Sequence, residues 1–230
     1  MIINENYLIL GIGTDIGKTY LAEKLAEKNH HLKIIKPIAT GFDEFDENCD
    51  TIRILKKLQA NNYDFKKECD VNLRFNLKKI GNKDWQKISP FVNEIPTAPH
   101  LVISLNYQNV VDFCFDQIDN AKQNDLKLVI ESAGGVMTPI TFGKTYLDLA
   151  KDLKFKVLLV TSNYLGAISH TLTAIEVLNS NKVFIEKVIV NDQLSNNQNF
   201  FKNYDDISFD DFAKSIKSFY DLNILKISQF

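Results

Sequence analysis

Short runs of apolar residues alternate along the chain with segments whose apolar residues recur every three or four positions. The first kind predicts buried strands, and the second predicts amphipathic helices. The predicted strands are Tyr7–Leu10, Lys33–Pro37, Leu126–Ile130, Lys156–Val160, Val183–Val190 and Leu222–Ile227. The predicted helices are Thr19–Asn29, Asp50–Leu58, Ile168–Leu178 and Phe209–Phe219. This alternation is typical of βα units around a mostly parallel sheet flanked by helices, so it predicts an α/β fold.

The number of domains follows from the length and from where the pattern weakens. The chain has 230 residues, which suits one domain with a substantial core, so we predict a single domain over residues 1–230. Between Asn61 and Glu94 lysines accumulate, and Gly81–Asp84 supplies a turn signal. We interpret residues 61–94 as an irregular excursion from the domain rather than as a second domain.

Composition and charge narrow the class of protein. The chain is 45% hydrophobic, which excludes a disordered protein because there are enough apolar side chains to bury. Its 27 Lys+Arg and 29 Asp+Glu give a net charge of −2, which argues against a nucleic-acid partner held by bulk positive charge. Only Arg53 and Arg74 are arginines, so phosphate contacts are expected mainly from lysines and backbone N–H groups.

The sequence carries no signal for export or membrane insertion. No apolar run approaches the roughly 20 residues that a membrane-spanning helix needs, and the first residues lack a basic segment followed by a long apolar run. The three cysteines, Cys49, Cys69 and Cys114, have no metal-ligand spacing and are interpreted as packing or surface thiols. We therefore expect a cytoplasmic protein with no membrane partner.

A glycine-rich segment, Gly11–Thr19, lies between the first predicted strand and the first predicted helix. Glycines at such a turn let backbone N–H groups converge on a phosphate, and the start of the helix adds a favourable dipole. Lys18 supplies a cation for the phosphates, and Thr19 supplies a hydroxyl for Mg²⁺. The loop is one residue longer than the common G-x-x-x-x-G-K-[ST] pattern, because Ile12 stands where the first glycine belongs. The segment therefore predicts a variant phosphate loop that binds a nucleoside triphosphate.

Two classes of phosphate-loop protein fit poorly. None of the nine glycines has Asp three residues before it, and the guanine-reading Asn-Lys-x-Asp pattern is missing, so a GTPase is not expected. A partitioning ATPase would carry a second lysine inside the loop, but no lysine lies between Gly11 and Gly17.

The other landmarks occur in a fixed order along the chain. They are Gly11–Thr19, Lys36–Gly41, Asp50 at a helix start, Pro96–His100, Glu131–Gly135 with Thr138 and Pro139 after it, Leu165–His170 and Val190–Asp192. In this order the set resembles the dethiobiotin synthetase family, and it extends to about residue 192. Ser132 stands where that family prefers Gly, and Ser169 stands where Asn is known.

The resemblance implies a single-domain P-loop NTPase-like fold and a homodimer with the substrate site at its interface. It also implies a reaction in which CO₂, 7,8-diaminononanoate and MgATP give dethiobiotin, ADP and phosphate. One diamine nitrogen would form a carbamate, the carbamate oxygen would attack the γ-phosphate, and the second amine would displace phosphate to close the ureido ring. Such a reaction needs cations, a metal and oriented N–H donors more than it needs a nucleophile.

The resemblance assigns roles to residues of this sequence. The catalytic set is Lys18, Lys36 and Thr40. The ATP-binding set is Gly13, Thr14, Asp15, Ile16, Gly17, Lys18, Thr19, Tyr20 and Asn191. The substrate-binding set is Lys36, Thr40, Thr97, Gly134, Gly135, Leu165, Gly166 and Ser169. The Mg²⁺ set is Thr19, Asp50 and Glu131, although Asp50 taken alone reads as an ordinary helix N-cap.

Two other functions stay open from the sequence. One is a phosphate-loop regulatory ATPase whose nucleotide controls dimerisation, which would need no pocket for a second substrate. The other is an amidoligase that activates a carboxylate, although such enzymes usually carry a glutaminase domain for which this chain has no room.

Overall fold

The computed structural model describes residues 3–65, 83–193 and 208–230. At its centre is a six-stranded sheet in which every neighbouring pair of strands is parallel. In spatial order the strands are β10 (Ile224–Lys226), β9 (Ile185–Asn191), β8 (Lys156–Ser162), β1 (Tyr7–Gly11), β5 (Lys127–Gly135) and β2 (Leu32–Ile35).

Helices cover both faces of this sheet. In the described part of the chain the α-helices are α1 (Lys18–Lys28), α2 (Asp50–Ala60), α3 (Pro99–Val102), α4 (Tyr107–Gln123), α5 (Tyr146–Leu153), α6 (Ala167–Ser180) and α7 (Phe209–Lys217). Two short ladders lie outside the sheet: a parallel pair of β3 (Ile38–Thr40) with β4 (Phe91–Asn93), and an antiparallel pair of β6 (Pro139–Thr141) with β7 (Lys144–Thr145).

Apolar residues on both faces of the strands explain why the strands read as continuous apolar runs. In β1, Leu8 and Leu10 pack into the cluster that includes α4, α5, α6 and α7, whereas Tyr7 and Ile9 pack into the cluster that includes α1 and α2. Successive side chains of a strand point to opposite faces, so a parallel sheet covered on both sides buries every position. The predicted α/β fold with a parallel sheet flanked by helices is confirmed.

The topology places a crevice at the carboxyl end of β1. The chain builds β2 and β5 on one side of β1 and then crosses to build β8 on the other side. At such a switch point the connections leave β1 and its neighbours in opposite directions, and ligands bind beside the carboxyl ends of the strands. The segment after β1 and the end of β5 meet there.

The structure contains all six predicted strands and all four predicted helices, with ends that differ by a few residues. The largest difference is in β5, which continues to Gly135 instead of ending at Ile130. Sequence analysis missed the short α3 and the longer α4 and α5. The helix α4 begins where the Asn106 side chain accepts a hydrogen bond from the Gln108 N–H, a capping signal visible in the sequence.

Several smaller expectations also have an outcome. Residues 66–82, half of the predicted excursion, lie outside the described residues together with Cys69 and Arg74, and the single-domain division stays a prediction. Cys114 is buried, and burial raises the pKa of its thiol. Across residues 3–65, 83–193 and 208–230, no helix combines the length and the apolar character that crossing a membrane requires.

Candidate active site

The loop between β1 and α1 is held in shape from inside and outside. Inside the loop, Lys18 Nζ donates a hydrogen bond to the Gly13 carbonyl oxygen at 2.7 Å. Outside it, Asn191 Nδ2 donates to the Ile16 carbonyl oxygen at 3.1 Å. Gly17 has φ of 97°, and a Cβ added there would lie 2.1 Å from Asn191 Nδ2. Glycine is therefore required at position 17 both by the backbone and by the space.

The first turn of α1 presents a cation and a hydroxyl to the crevice. Lys18 and Thr19 are the first two residues of the helix, and both are buried. The first turn carries no acidic side chain, so the partial positive charge of the helix start is left for an anion. Burial lowers the pKa of Lys18 to about 8, against attraction from Glu131. This part of the molecule is suited to bind phosphate.

A cluster of one ammonium and two carboxylates lies beside the loop, with Lys36 and Glu131 buried and the Asp50 side chain 44% exposed. Lys36 Nζ donates to Glu131 Oε1 at 2.8 Å and also to Asp50 Oδ2. Thr19 Oγ1 donates to the same Glu131 Oε1 at 2.7 Å. The cluster brings together the residue after β2, the middle of β5 and the first residues of α1 and α2, four separate places in the sequence.

Charge balance keeps this cluster ionised. Burial alone would lower the pKa of Lys36, but the facing carboxylates of Glu131 and Asp50 raise it above its ordinary value. Burial would raise the pKa of Asp50, but the facing Lys36 ammonium lowers it. At neutral pH the site therefore holds Lys36 as an ammonium and Asp50 as a carboxylate.

The residues predicted to bind Mg²⁺ form an oxygen-donor set. Among the described residues, Glu131 Oε2 has no hydrogen-bond partner, although the side chain is completely buried. A buried carboxylate oxygen without a partner is costly, and a hard cation would satisfy it. With the Thr19 hydroxyl and the Asp50 carboxylate alongside, the set fits a Mg²⁺ ion that keeps several of its waters. In the described part of the chain, no group of three or more His, Cys, Asp or Glu side chains is arranged to hold a metal ion, and the set above reaches three donors only with the Thr19 hydroxyl.

Two adjoining cavities open beside the cluster. The first cavity has a volume of about 330 Å³ and is lined by Asp15, Gly17, Lys18, Thr19, Tyr20, Asp50, Arg53, Glu131, Asn191 and Gln193. The second cavity has a volume of about 390 Å³ and is lined by Thr14, Asp15, Lys18, Lys36, Thr40, Asp50, Pro96, Thr97, Ala98, Pro99, Ala133, Gly134 and Thr138. The two cavities share Asp15, Lys18 and Asp50.

The predicted ATP-binding residues lie mostly around the first cavity. Three of them do not line it, because Thr14 lines the second cavity and Gly13 and Ile16 line neither. Asn191 is buried, with its side-chain amide donating to Ile16 and accepting a hydrogen bond from the Gln193 N–H at 3.0 Å. Each amide nitrogen and oxygen has more than one hydrogen-bonding position, so these contacts leave Asn191 able to meet a base.

The predicted substrate-binding residues divide into two groups. Lys36, Thr40, Thr97 and Gly134 all line the second cavity. Gly135 does not line it, and its N–H donates to Thr138 Oγ1 at 2.8 Å.

The start of α6 forms the other group. Leu165, Gly166 and Ser169 line neither cavity of the chain that carries them. Leu165 is 77% exposed, and Gly166 has φ of 93° at the helix start. Their predicted role, reaching the substrate of a second copy, stays a prediction.

Among the cavity-lining residues to which the sequence assigns no role are Thr138 and Arg53. Thr138 stands in the sequence only as part of a motif, yet its hydroxyl holds the turn at Gly134 and Gly135. Arg53 lines the first cavity. The sequence could have indicated this position, because Arg53 follows Asp50 by three residues and residues three apart on a helix share a face. By contrast, the Ser132 departure lies next to Glu131 in β5, and strand alternation turns its side chain to the opposite face.

Comparisons with known proteins match the chain to one family model and to several relatives. The family described as AAA domain matches residues 5–225. The ATP-dependent dethiobiotin synthetase of Francisella tularensis subsp. holarctica is 32% identical over 198 residues, which cover 84% of this chain and 81% of the relative. The enzyme of the same name from Legionella pneumophila (strain Paris) is 31% identical over 193 residues, covering 81% of this chain and 80% of the relative.

A solved structure supports the fold alone. The MinC:MinD cell division protein complex of Aquifex aeolicus aligns with a TM-score of 0.50 at 15% identity, covering 96% of this chain and 79% of that one. The identity over most of the chain, in contrast, is high enough to decide the family. The chain belongs to the ATP-dependent dethiobiotin synthetase family, a family of ATP-dependent ligases.

Proposed function

We propose that this chain makes dethiobiotin from 7,8-diaminononanoate, CO₂ and ATP in a Mg²⁺-dependent reaction. The observation that carries the proposal is the position of Lys36, which lines the second cavity and also bonds Glu131 of the first at 2.8 Å. A nucleotide switch would need only the first cavity. A ligase needs a second pocket whose occupant can reach the terminal phosphate, and the shared residues Lys18 and Asp50 provide that junction.

The first cavity would bind ATP. Backbone N–H groups of the loop and the start of α1 would face the phosphates, and the buried Lys18 ammonium would lie at the transferred group. Asn191, at the far side of the loop, would meet the adenine edge. When bound, Mg²⁺ would neutralise phosphate charge, and Thr19, Asp50 and Glu131 would hold it.

The second cavity would bind the diamine as its carbamate. Lys36 would hold the carbamate oxygens, and the hydroxyls of Thr40 and Thr97 would orient the chain of the substrate. Because Lys36 stays protonated between two carboxylates, it would supply charge stabilisation rather than act as a base. The turn at Gly134 requires glycine, since φ is 77° and an added Cβ would lie 2.4 Å from Thr138 Oγ1.

The reaction needs no protein nucleophile. A diamine nitrogen forms a bond to CO₂ and releases a proton, giving the carbamate. A carbamate oxygen then bonds to the γ-phosphorus as the bond to ADP breaks, giving a carbamic-phosphoric anhydride. The second amine attacks the anhydride carbon, expels phosphate and releases a proton, closing the ring. Lys18 and Lys36 would stabilise the charge that develops on oxygen at each stage.

The experiment is incubation of the chain with ATP, Mg²⁺, ¹³C-bicarbonate and 7,8-diaminononanoate, with products measured by mass spectrometry. The expected result is dethiobiotin that carries the label, with one ADP formed per product. A rate of ATP hydrolysis that is the same with and without the diamine, accompanied by a change in oligomeric state, would contradict the ligase and favour a regulatory ATPase.

We also propose that the active form is a homodimer in which the start of α6 completes the second cavity of the partner. The support is a groove of about 560 Å³ that is lined in part by Met137 and His170. Two exposed apolar side chains lie close to these residues in the sequence, Phe142 after Met137 and Leu165 before His170. Leu165→Asp is expected to give monomers by light scattering and to raise KM for the diamine. A monomeric wild-type chain with full activity would contradict this proposal.

A further inference from the structure

Helix α2 is tied to α1 by a stripe of polar residues spaced four apart. Arg53 Nε donates to Glu23 Oε1 at 3.0 Å, and Arg53 Nη2 donates to Glu23 Oε2 at 2.5 Å. One turn later Lys57 pairs with Glu27 at 2.5 Å, and Asn61 Nδ2 donates to the Ala26 carbonyl oxygen at 2.6 Å. Residues at this spacing share one helix face, so the stripe fixes α2 alongside α1.

One member of the stripe differs from the others in its surroundings. Arg53 lines the first cavity together with Lys18, Thr19 and Asn191, whereas Lys57 lines neither cavity. The Arg53 side chain is 33% exposed and its partner Glu23 only 12%. The guanidinium is thus held by a mostly buried carboxylate at the wall of the proposed ATP site.

The guanidinium has hydrogen-bonding capacity beyond this pair. An arginine carries five N–H donors in a rigid fork, and Glu23 accepts two hydrogen bonds from it. A fork of this kind suits phosphate oxygens, which it can contact through two parallel bonds.

The cationic side chains at the first cavity differ in how they are engaged. Lys36 is paired with two carboxylates, Glu131 and Asp50, and Lys18 donates to the Gly13 carbonyl oxygen. Arg53 is paired with one carboxylate, Glu23, so it adds N–H donors to the wall of the cavity more than it adds net charge. A triphosphate carries many oxygen acceptors, and the remaining N–H donors of Arg53 would meet them.

We propose that Arg53 is a phosphate-binding residue of the ATP site, with Glu23 holding its fork against the wall of the cavity. The ligand class is the polyphosphate chain of a nucleoside triphosphate. This inference deepens the proposed function and rests on it only for the identity of the nucleotide. It also changes the expectation that phosphate contacts come mainly from lysines and backbone N–H groups.

The test is direct binding, measured by calorimetry on the full chain with a non-hydrolysable ATP analogue and with inorganic triphosphate. Arg53→Gln is expected to raise Kd for both ligands about tenfold, since one charged contact is lost. Glu23→Gln keeps the arginine and is expected to change Kd less than threefold. The matched control is Lys57→Gln, which removes the ion pair one turn away and is expected to leave both Kd values unchanged.

Three results would overturn the inference. The first is that Arg53→Gln binds both ligands with Kd values within twofold of wild type. The second is that Arg53→Gln and Glu23→Gln lose the same affinity, which would mean that the ion pair only connects the two helices. If Arg53→Gln does not fold, Arg53→Lys replaces it with an expected loss of about threefold, and an unchanged Kd overturns the fork. If the wild-type chain binds neither ligand, the proposed function is contradicted as well. If the wild type is active and Arg53→Gln leaves both Kd values unchanged, only this inference is contradicted.

Discussion

The first and second cavities share Asp15, Lys18 and Asp50, yet they are assembled from different parts of the chain. Much of the first is a continuous stretch from Asp15 to Tyr20, whose shape depends on one loop and one helix start. The second collects short segments around residues 36–40, 96–99 and 133–138. A local motif can therefore supply a phosphate site, whereas the pocket that would make the protein a ligase depends on how distant segments pack.

Contacts between those distant segments are close. A Cβ added at Gly41, which has φ of 68°, would lie 3.1 Å from the Pro96 Cβ, and β3 pairs with β4 just before this contact. The turn at Gly134 is packed against Thr138 in the same way. Substitutions in the two cavities should therefore have different effects. Those in the first cavity should weaken ATP binding, and those in the second should weaken diamine binding.

The largest expected effect comes from the residue between the cavities. Lys36→Ala is expected to lower kcat at least roughly 10²-fold, because it removes a preorganised cation from the site of charge development. Binding of ATP, measured by calorimetry, should persist and shows that the variant is folded. The control is Lys56→Ala, since Lys56 is half exposed and pairs with an exposed Glu47. Wild-type turnover in Lys36→Ala would remove this residue from the mechanism.

Gly17→Ala tests the first cavity alone. The alanine would be held at φ of 97° with its Cβ 2.1 Å from Asn191 Nδ2, so the free energy of unfolding should fall by about 1–3 kcal/mol and ATP affinity should fall with it. Chemical denaturation measures the first effect and calorimetry the second. Gly13→Ala is the matched stability control, because nothing lies within 4 Å of its added Cβ. Equal stability of the two variants would contradict the strain at position 17.

The dependence of ATP binding on pH should also report on the first cavity. Burial lowers the pKa of Lys18 to about 8, and a bound phosphate would favour the ammonium form and raise it again. Above pH 8 binding should therefore take up a proton, and affinity should fall as pH rises, by about tenfold per unit at most. Calorimetry in buffers of different ionisation enthalpy measures this uptake. Lys18→Ala should remove it, and proton uptake that persists in that variant would assign it to another group.

The smallest expected effect belongs to the second cavity. Thr97→Val keeps the shape of the side chain and removes its hydroxyl, so KM for the diamine should rise about fivefold, the equivalent of one hydrogen bond of ~1 kcal/mol. KM for ATP should stay the same in the same steady-state assays. If KM for ATP changed instead, the assignment of the two cavities would be reversed.

The predictability of the site follows the same division. Lys18 and Thr19 could be placed from the sequence because a glycine-rich turn between a strand and a helix has few possible shapes. The role of Thr138 was missed because its hydroxyl acts on a turn three residues earlier, a contact set by backbone geometry. Three helices, the short α3 and the longer α4 and α5, were missed although α4 carries an N-cap signal at Asn106.

By itself, the sequence determined the alternating α/β fold, the phosphate loop and the order of the motifs, because each depends on neighbouring residues and on periodic burial. Only the tertiary structure decided that Lys36 lies between Glu131 and Asp50, and that Arg53 reaches the wall of the first cavity. Such contacts join residues up to 95 positions apart. They depend on the strand order and helix packing that bring those residues together, which no local pattern encodes.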